Sequence, residues 1–369
     1  MDFNLSKEQE LLRDGLGKFL STRYDLEKSR AAAKAGVGWQ PDIWRGFVDE
    51  LGILGAAFPE LVGGIGGGPV EVMVIAEALG HALVIEPYVD TVVVAGGLLQ
   101  RAGDPAATAL LEKVVAGNAV VALAAAEPGT GEHWQNVSTI AERVGEAWVL
   151  RGSKIVAMNA PIATHLLITG RTQSGLSLLL VDADWSSIEA HHYRTVDDRR
   201  ASDLVLDGVR GVLLGEEGHA WPSLAQARDE GAAAVCAEAV GCMRKVLADT
   251  VEYCKQRQQF GQPIGSFQVL QHRMVDMYME VEQAVAAVYL AVLNLEAEAD
   301  VRARAVSAAK ATVGRAARFV GQQAVQLHGG MGMTEELAIG HYFKRLTALQ
   351  FEFGSTDYHV ARYAGLAKA

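Results

Sequence analysis

Apolar residues recur at helical spacing through about the first 115 positions of the chain. After Ser6, which suits an N-cap, they fall on one side of a helix as far as Leu20. The same spacing predicts helices over 42–51 and 70–81. Between these, the glycine-rich run at 63–69 lacks the Lys-Ser/Thr pair and the strand that a phosphate loop requires, so we interpret it as a turn.

Short β-rich runs replace the helical spacing between about 118 and 215. Turn formers such as Pro128-Gly129 and Asp197-Asp198 separate these runs, which predicts a small β-barrel or sandwich. The runs cover residues 119–123, 148–150, 165–169, 176–181 and 203–206.

Long amphipathic helices are predicted from about 225 to 351. One apolar stripe joins Leu270, Met274, Met277 and Val281, and another runs from Val306 to Val320. The sequence therefore predicts an α+β multidomain fold. Its parts are an N-terminal helical domain at 1–117, a middle β domain at 118–222 and a C-terminal helical bundle at 223–369.

Charge and composition narrow the class of protein. The formal charge is −11, so the basic face that a nucleic-acid partner demands is not expected. No stretch of about 18 residues lacks a charge or turn former, and the opening MDFNLSKE is polar and acidic, unlike a signal peptide. We expect a cytoplasmic protein with no membrane contact. Its cysteines show no metal-ligand spacing, which predicts buried thiols and no metal site.

Two segments near the C-terminus suit a nucleotide. In RQQFGQPIGSFQ, the Arg257 guanidinium offers a planar fork for a pyrophosphate, Gln268 offers an amide, and Phe260 offers an apolar face. In QLHGG, which begins at Gln326, Gly329-Gly330 allows the backbone to lie close to a ligand, where free N–H groups favour an anion. Taken alone, each segment is typical of the end of a helix. The prediction of a nucleotide site therefore rests on the two segments together.

Five segments in order resemble the motifs of the acyl-CoA dehydrogenases, and the likeness covers essentially the whole chain. That family has an N-terminal helical domain, a middle β domain and a C-terminal four-helix bundle, and it assembles as dimers or tetramers. The resemblance therefore implies this acyl-CoA dehydrogenase fold. The segments are FPELVGGIG at 58–66, AEPGTG at 126–131, RGSK at 151–154, RQQFGQPIGSFQ at 257–268 and QLHGGMG at 326–332.

The resemblance implies FAD as the cofactor. In the family, RxxFG…Q and QxxGG hold the adenine-pyrophosphate end of FAD across a subunit interface. The implied reaction is α,β-dehydrogenation of an acyl-CoA thioester, in which a Glu removes the α-proton and the β-hydrogen leaves as hydride to the flavin. An electron-transfer flavoprotein is the implied electron acceptor. The matching cofactor positions are Arg257, Phe260, Gln268, Gln326, Gly329 and Gly330.

The chain departs from the family pattern at the usual catalytic base, which lies in a YEGT segment. The corresponding stretch is QFEFGSTD at 350–357, and an ungapped count places Phe353 at the base position. Shifting the alignment by one residue places Glu352 at the base position. Gly354 then no longer matches the glycine that follows the base in the family. Glu352 is therefore one candidate base, with an exposed or cap-satisfying carboxylate as the alternative.

Some members of the family place the base on the helix that ends at RxxFG. Counting back from Arg257 reaches Gly231, with Glu230 immediately before it. Glu230 is the second candidate base, and a charge near a helix start is the alternative. Glu238, two turns further along, is expected to be a structural or polar-network residue.

Positions that contact the flavin ring are also altered. The family's Thr and Ser around EPG correspond to Ala126 and Glu132, and the Trp and Thr after the NGxK lysine correspond to Val156 and Met158. The segments IEPY at 85–88 and FGSTDYH at 353–359 resemble the shorter subunits of heteromeric bacterial acyl-CoA dehydrogenases, those associated with pimeloyl-CoA-like or steroid side-chain thioesters. In such assemblies two related chains share one flavin site.

Three functions follow as hypotheses. The first is a dehydrogenase subunit that shares its FAD site with a larger homologous partner in a heterotetramer. The second is a self-sufficient homo-oligomeric dehydrogenase that uses Glu230 or Glu352. The third is a catalytically inactive scaffold that binds flavin or CoA. The sequence does not reveal the acyl group.

Overall fold

The N-terminal part of the chain is helical, as predicted. The structure, a computed structural model, describes residues 4–35 and 38–367, so Met1–Phe3 at the polar N-terminus lie outside it. Ser6 and Gln9 form a capping box, in which Ser6 Oγ accepts from the Gln9 N–H and the Gln9 side chain accepts from the Ser6 N–H. The helices are α1 (Lys7–Arg23), α2 (Leu26–Lys34), α3 (Pro41–Asp49), α4 (Pro69–His81), a π-helix (Tyr88–Gly96), α5 (Gly97–Ala102) and α6 (Pro105–Val115).

The middle part forms a closed barrel. Its strands are β1 (Val121–Ala124), β2 (Ile140–Val144), β3 (Ala147–Met158), β4 (His165–Arg171), β5 (Leu176–Asp182), β6 (Glu189–Arg194) and β7 (Arg200–Leu214). β2 pairs with β3, β3 with β7, β7 with β5, β5 with β4, and β4 again with β2. β1 joins this ring parallel to β4, and β6 joins it antiparallel to β7.

Strands β2 and β6 were missed by the sequence prediction. In β2 only Ala141 is buried, and none of the residues of β6 is fully buried. The alternation of apolar and polar residues that reveals a half-buried strand is therefore absent from both. Pairing with longer neighbours holds them in the sheet.

The C-terminal part is a helical bundle with a small hairpin. Its elements are α7 (Trp221–Gln256), β8 (Gln258–Gln259), β9 (Gln262–Pro263), α8 (Gln268–Val292), α9 (Ala299–His328), α10 (Ala338–Leu349) and α11 (Thr356–Leu366). The predicted stripe from Val306 to Val320 is buried throughout. Along α8 the stripe is buried only at Met277 and Val281, while Leu270 and Met274 are half-buried.

The chain divides into two compact units. One combines the described residues up to Leu26 with Pro69–Val84 and the chain from Ala232 onward, and the other contains Glu27–Gly68 and Ile85–Gly231. The division of the sequence into three domains at 117 and 222 stays a prediction. Among the helices of the described residues, none is long and apolar enough to cross a membrane.

Candidate functional site

A strained turn carries Phe260 at the predicted nucleotide site. Gln259 pairs with Gln262, so Phe260 and Gly261 form a two-residue turn whose φ angles are 54° and 76°. A phenylalanine is uncommon in this left-handed conformation, and its side chain is 90% exposed. An exposed aromatic ring on a strained turn is typical of a ligand or partner contact.

The two predicted cofactor segments lie side by side. The ring of Tyr253, one turn before Arg257, stacks on His328 with centroids 4.3 Å apart. The Tyr253 hydroxyl also donates to the His328 carbonyl at 3.4 Å. His328 is the last residue of α9, and Gly329 follows with a φ of 59°. The stacked pair therefore joins the end of α7 to the segment of Gly329 and Gly330.

All six predicted cofactor residues are exposed in the single chain. Within the described residues, the side chains of Arg257, Gln268 and Gln326 make no hydrogen bonds, so their donors are available to a ligand. A free guanidinium, two free amides, an aromatic face and a glycine segment fit the adenine-pyrophosphate end of a dinucleotide. The exposed residues are Arg257, Phe260, Gln268, Gln326, Gly329 and Gly330.

Glu230 lies inside α7 and pairs with an arginine. α7 begins at Trp221, so the expectation that Glu230 sits near a helix start was wrong. Arg101 Nη1 donates to Glu230 Oε1 at 2.8 Å, and Gln226 Nε2 donates to the same oxygen at 3.0 Å. Glu230 Oε2 is buried and accepts no hydrogen bond from the part of the chain that the structure describes.

Glu352 and Glu238 share a single buried arginine. Arg345 Nε and Nη2 donate to the two oxygens of Glu238 at 2.7 and 2.9 Å, a bidentate pair. Arg345 Nη1 and Nη2 also donate to the two oxygens of Glu352. Glu238 therefore belongs to a polar network, as predicted, and both oxygens of Glu352 are engaged.

The turn that carries Glu352 is held from two sides. Lys310 Nζ donates to the carbonyls of Leu349, Gln350 and Gly354 at 2.8, 3.1 and 3.0 Å, so a cation caps the end of α10. His359 Nε2 lies 3.1 Å from the Phe353 carbonyl. These contacts fix the orientation of the turn, in which Glu352 reaches Arg345.

At the predicted flavin-ring positions, the barrel carries Val156 and Met158 in place of the family's Trp and Thr. Val156 has a φ of 52°, which is strained for a β-branched residue, and its side chain is 49% exposed. Its N–H donates to Asp203 Oδ1 at 2.9 Å, and the Tyr193 hydroxyl donates to the same oxygen. Burial, together with this bond to Asp203, raises the pKa of Tyr193 to about 12. The backbone is firmly held, while Val156 and Met158 offer no donor to a ring.

A buried ion pair joins the AEPG and RGSK segments. Lys154 Nζ lies 2.6 Å from Glu127 Oε1, and Ser138 and Thr139 also donate to this carboxylate. Burial opposes ionisation of Glu127, but the hydrogen bonds from Lys154, Ser138 and Thr139 outweigh it and lower its pKa to about 2. Burial lowers the pKa of Lys154 to about 8, against the effect of Glu127. Both segments therefore have a structural role that sequence reasoning missed.

Along the chain a helical segment, a closed barrel and a helical bundle follow one another, and the bundle carries exposed donors suited to a nucleotide, as the resemblance to a flavoenzyme family implies. The chain matches the family models of the acyl-CoA dehydrogenase N-terminal domain over residues 6–118, middle domain over 122–209 and C-terminal domain over 219–365. It therefore belongs to the acyl-CoA dehydrogenase family, FAD-dependent oxidoreductases of lipid metabolism that act on the CH–CH bond of acyl-CoA. This confirms the predicted fold class, cofactor and enzyme class.

Relatives match along nearly the full chain. Acyl-CoA dehydrogenase IpdE2 of Mycolicibacterium smegmatis is 30% identical, over 92% of this chain and 93% of its own. A solved variant of the Tcur3481–Tcur3483 steroid ACAD matches with a TM-score of 0.91 at 28% identity, over 99% of both chains. The ChsE4–ChsE5 complex from Mycobacterium tuberculosis matches with a TM-score of 0.90 at 26% identity, over 100% of both chains.

Proposed function

We propose that this chain is one subunit of a heteromeric acyl-CoA dehydrogenase and shares an FAD site with a larger homologous subunit. One contrast supports the proposal. The adenine-side donors Arg257, Gln268 and Gln326 are exposed and unbonded within the described residues, whereas both candidate bases, Glu230 and Glu352, are engaged by arginines. Within the described residues, the adenine-side donors are therefore available to a cofactor, whereas each of the two candidate bases is paired with an arginine.

This chain's part is to hold the adenine end of the cofactor. Arg257 binds the pyrophosphate, Gln268 and Gln326 contact the nucleotide by hydrogen bonds, and Phe260 packs on it. The backbone at Gly329 and Gly330, which carries no side chains, would hold an anionic oxygen of the cofactor. When bound, FAD accepts the hydride that leaves the β-carbon of the acyl-CoA.

The partner subunit supplies the base under this proposal. Glu352 would have to release two Arg345 donors before it could take an α-proton, and Glu230 would have to release Arg101 and Gln226 or turn its buried Oε2. A base must reach the proton that it abstracts to within hydrogen-bond distance. Neither carboxylate is disposed for that task in the single chain.

The assembly is a heterotetramer of cytoplasmic chains, and its electron acceptor is an electron-transfer flavoprotein. Two similar structures are named for a pair of proteins, ChsE4–ChsE5 and Tcur3481–Tcur3483. These paired names support a heteromeric arrangement. Another similar structure, with a TM-score of 0.90 at 25% identity, is named for an electron transferring flavoprotein of Acidaminococcus fermentans, which supports the acceptor.

The test is flavin content with and without the partner. The chain is purified alone and after co-expression with its homologous neighbour, and bound FAD is measured by visible absorbance. We expect little flavin alone and about one FAD per heterodimer with the partner. Arg257→Met should lower the FAD content of the complex, because the pyrophosphate loses its fork of donors. Arg210→Met, which changes an exposed arginine of β7, is the matched control.

Two results would replace the proposal. Near-stoichiometric FAD in the lone chain, with dehydrogenation lost in Glu230→Gln or Glu352→Gln, would establish a self-sufficient homo-oligomer. Binding of acyl-CoA by the co-purified complex without any bleaching of flavin would establish an inactive scaffold.

A further inference from the structure

A cavity of about 980 Å³ lies within one of the two compact units, the one that contains α1. Helices α1, α4, α7, α8 and α10 contribute residues to its lining, and all the described lining residues belong to this unit. None of the six predicted cofactor residues is among them, and neither is Glu230 or Glu352. Cavities of this size bind small molecules in other proteins.

The apolar wall of the cavity comes from α1 and α4. Leu20 of α1 and Met73 and Val74 of α4 line the cavity, and all three are buried. Gly17 of α1 also lines it, and a Cβ atom added to Gly17 would meet no atom within 4 Å. α1 therefore faces open space at Gly17, and the hydrocarbon part of a ligand can be removed from water against these side chains.

Two arginines of the lining each keep a pair of unused donors. Arg244 Nη1 donates to Glu77 Oε1 at 2.6 Å, which leaves Arg244 Nε and Nη2 without hydrogen bonds in the described part of the chain. Arg13 Nε donates to Asp14 Oδ1 at 3.0 Å, which leaves Arg13 Nη1 and Nη2 without hydrogen bonds among the same residues. Two adjacent N–H groups of a guanidinium match the two oxygens of a carboxylate.

The two arginines lie near the same carboxyl group. Burial raises the pKa of Glu77, and the positive charges of Arg244 and Arg13 both counter this effect. Lys245, the lysine of the described lining, already pairs with Asp249. The two guanidinium groups are therefore the cations that a ligand in the cavity can bind.

The charges of the lining favour a ligand with a single negative charge. A cationic ligand would be repelled by the two arginines. An anionic ligand can accept from their unused N–H groups, but it also lies near the carboxylates of Glu77 and Glu10, which line the cavity as well. A carboxylate, with one negative charge, therefore fits better than a phosphate group, which carries nearly two.

We propose that this cavity binds an amphiphilic monocarboxylic acid, such as a medium-chain fatty acid. The carboxylate accepts hydrogen bonds from Arg13 and Arg244, and the hydrocarbon part packs against Leu20, Met73 and Val74. The site shares no residue with the proposed FAD site, so it does not depend on the proposed function.

The test is calorimetric titration of the full chain with decanoate, below the concentration at which decanoate forms micelles. We expect one binding site per chain. 1-Decanol has the same hydrocarbon chain without the charge, and decyl phosphate has the same chain with more charge. Both should bind at least about tenfold more weakly than decanoate, because hydrogen bonds to a carboxylate are stronger than those to a neutral oxygen and a phosphate is repelled by Glu77 and Glu10.

Arg13→Met should weaken the binding of decanoate by about tenfold, because the carboxylate loses charged donors. The binding of 1-decanol should change by about twofold or less, since its hydrocarbon contacts remain. Lys18→Met removes another exposed cation of α1, one that is not among the described lining residues, and should keep the wild-type affinity for both ligands.

Gly17→Phe should weaken the binding of decanoate and of 1-decanol by about tenfold or more, because its ring takes the space against which the hydrocarbon chain is buried. Gly15→Phe is the matched control. Gly15 lies in the same helix, also has open space around an added Cβ, and is not among the described lining residues. The melting temperatures of the two variants show whether both are folded.

Four results would overturn the proposal. They are the absence of decanoate binding up to about 1 mM, equal affinity for decanoate and 1-decanol in the wild type, tighter binding of decyl phosphate than of decanoate, and wild-type decanoate affinity in folded Gly17→Phe. The first two would show that the arginines do not recognise a carboxylate. The third would assign the cavity to a phosphate-bearing ligand, and the fourth would show that the acid binds elsewhere.

Discussion

Glu86 is a buried carboxyl group whose ionisation works against folding. Its side chain is 2% exposed, Oε1 accepts from the Gln40 N–H at 2.9 Å, and Oε2 has no partner within the described residues. Burial raises the pKa of Glu86 to about 7, and the Gln40 N–H only partly counters this effect. The folded state therefore binds the proton more tightly than the unfolded state does.

Glu86→Gln should make the stability of the protein less dependent on pH. In the wild type, the contribution of Glu86 is complete below the unfolded pKa of 4.5 and is lost as pH rises through about 7. The loss amounts to about 3 kcal/mol at most, by the conversion of pKa shifts into free energy. Urea unfolding midpoints at about pH 5 and about pH 8 measure it.

Glu60→Gln, at an exposed position, is the control for this comparison. We expect its midpoints to follow those of the wild type at both pH values. Glu86→Gln should unfold at a higher urea concentration than the wild type at the higher pH. The same pH dependence in Glu86→Gln and wild type would show that Glu86 ionises in the folded protein without penalty.

Ion pairs at the candidate site were beyond prediction from sequence. Arg101 is 129 positions from Glu230, and Arg345 is 107 positions from Glu238. Periodicity reports only on neighbours within one element, so it does not reveal which cation meets which carboxylate. The predicted cofactor residues lie in short motifs, and such motifs record the local geometry of a turn and a helix end, as the positive φ angles of Phe260 and Gly329 show.

At the scale of elements, α4 and α7 touch backbone to backbone. A Cβ atom on Gly241 would lie 1.9 Å from the Glu77 carbonyl oxygen, and one on Gly80 would lie 2.0 Å from the Glu238 carbonyl oxygen. Cys242 Sγ donates to the Gly80 carbonyl at 3.1 Å in the same crossing. The small residues of α7 therefore allow close packing here.

Gly241→Ala should destabilise the protein by about 3 kcal/mol, because its methyl group meets a carbonyl oxygen that belongs to helix backbone. Gly15→Ala is the matched control. Gly15 lies in α1 with nothing within 4 Å of an added Cβ, so alanine there should be neutral or stabilise by up to about 1 kcal/mol. Thermal unfolding of the two variants tests the difference, and equal melting temperatures would contradict the close approach.

Helices were easier to predict than strands for a physical reason. α4 begins at Pro69 and ends at His81, within one residue of the predicted helix at 70–81, because its apolar residues repeat with the period of a helix. β2 and β6 expose most of their residues, so they depend on hydrogen bonds to distant strands. Closure of the barrel, which gives them partners, is a property of the whole sheet.

At the scale of the whole molecule, α8 displays apolar side chains that the single chain leaves uncovered. Val275, Tyr278 and Met279 are each more than half exposed, and Val269 is 63% exposed at the start of the helix. Exposed apolar patches of this kind mark interaction sites. Under the proposed function, the larger homologous subunit covers this helix.

Tyr278→Glu should weaken co-purification with the larger subunit by about tenfold or more, because it places a charge where an apolar contact is expected. Gln283→Glu introduces the same charge at an exposed polar position of α8 and should leave the complex intact. Tagged pull-down followed by light scattering measures both. Equal recovery of the partner with the two variants would show that another face carries the contact.

The order in which the chain is synthesised sets a constraint on its folding. α1 and α4 belong to the unit whose remaining residues begin at Ala232, within α7, so they leave the ribosome long before most of that unit has been synthesised. All residues of the other unit have been synthesised once Gly231 has left the ribosome, so this unit can fold earlier. Only Pro69–Val84, which belongs to the first unit, interrupts its sequence. Contacts between residues far apart in sequence form slowly. Apolar helix faces that stay exposed until such contacts form are prone to aggregate. We therefore expect the yield of folded protein to depend on how long the outer faces of α1 and α4 remain uncovered during translation.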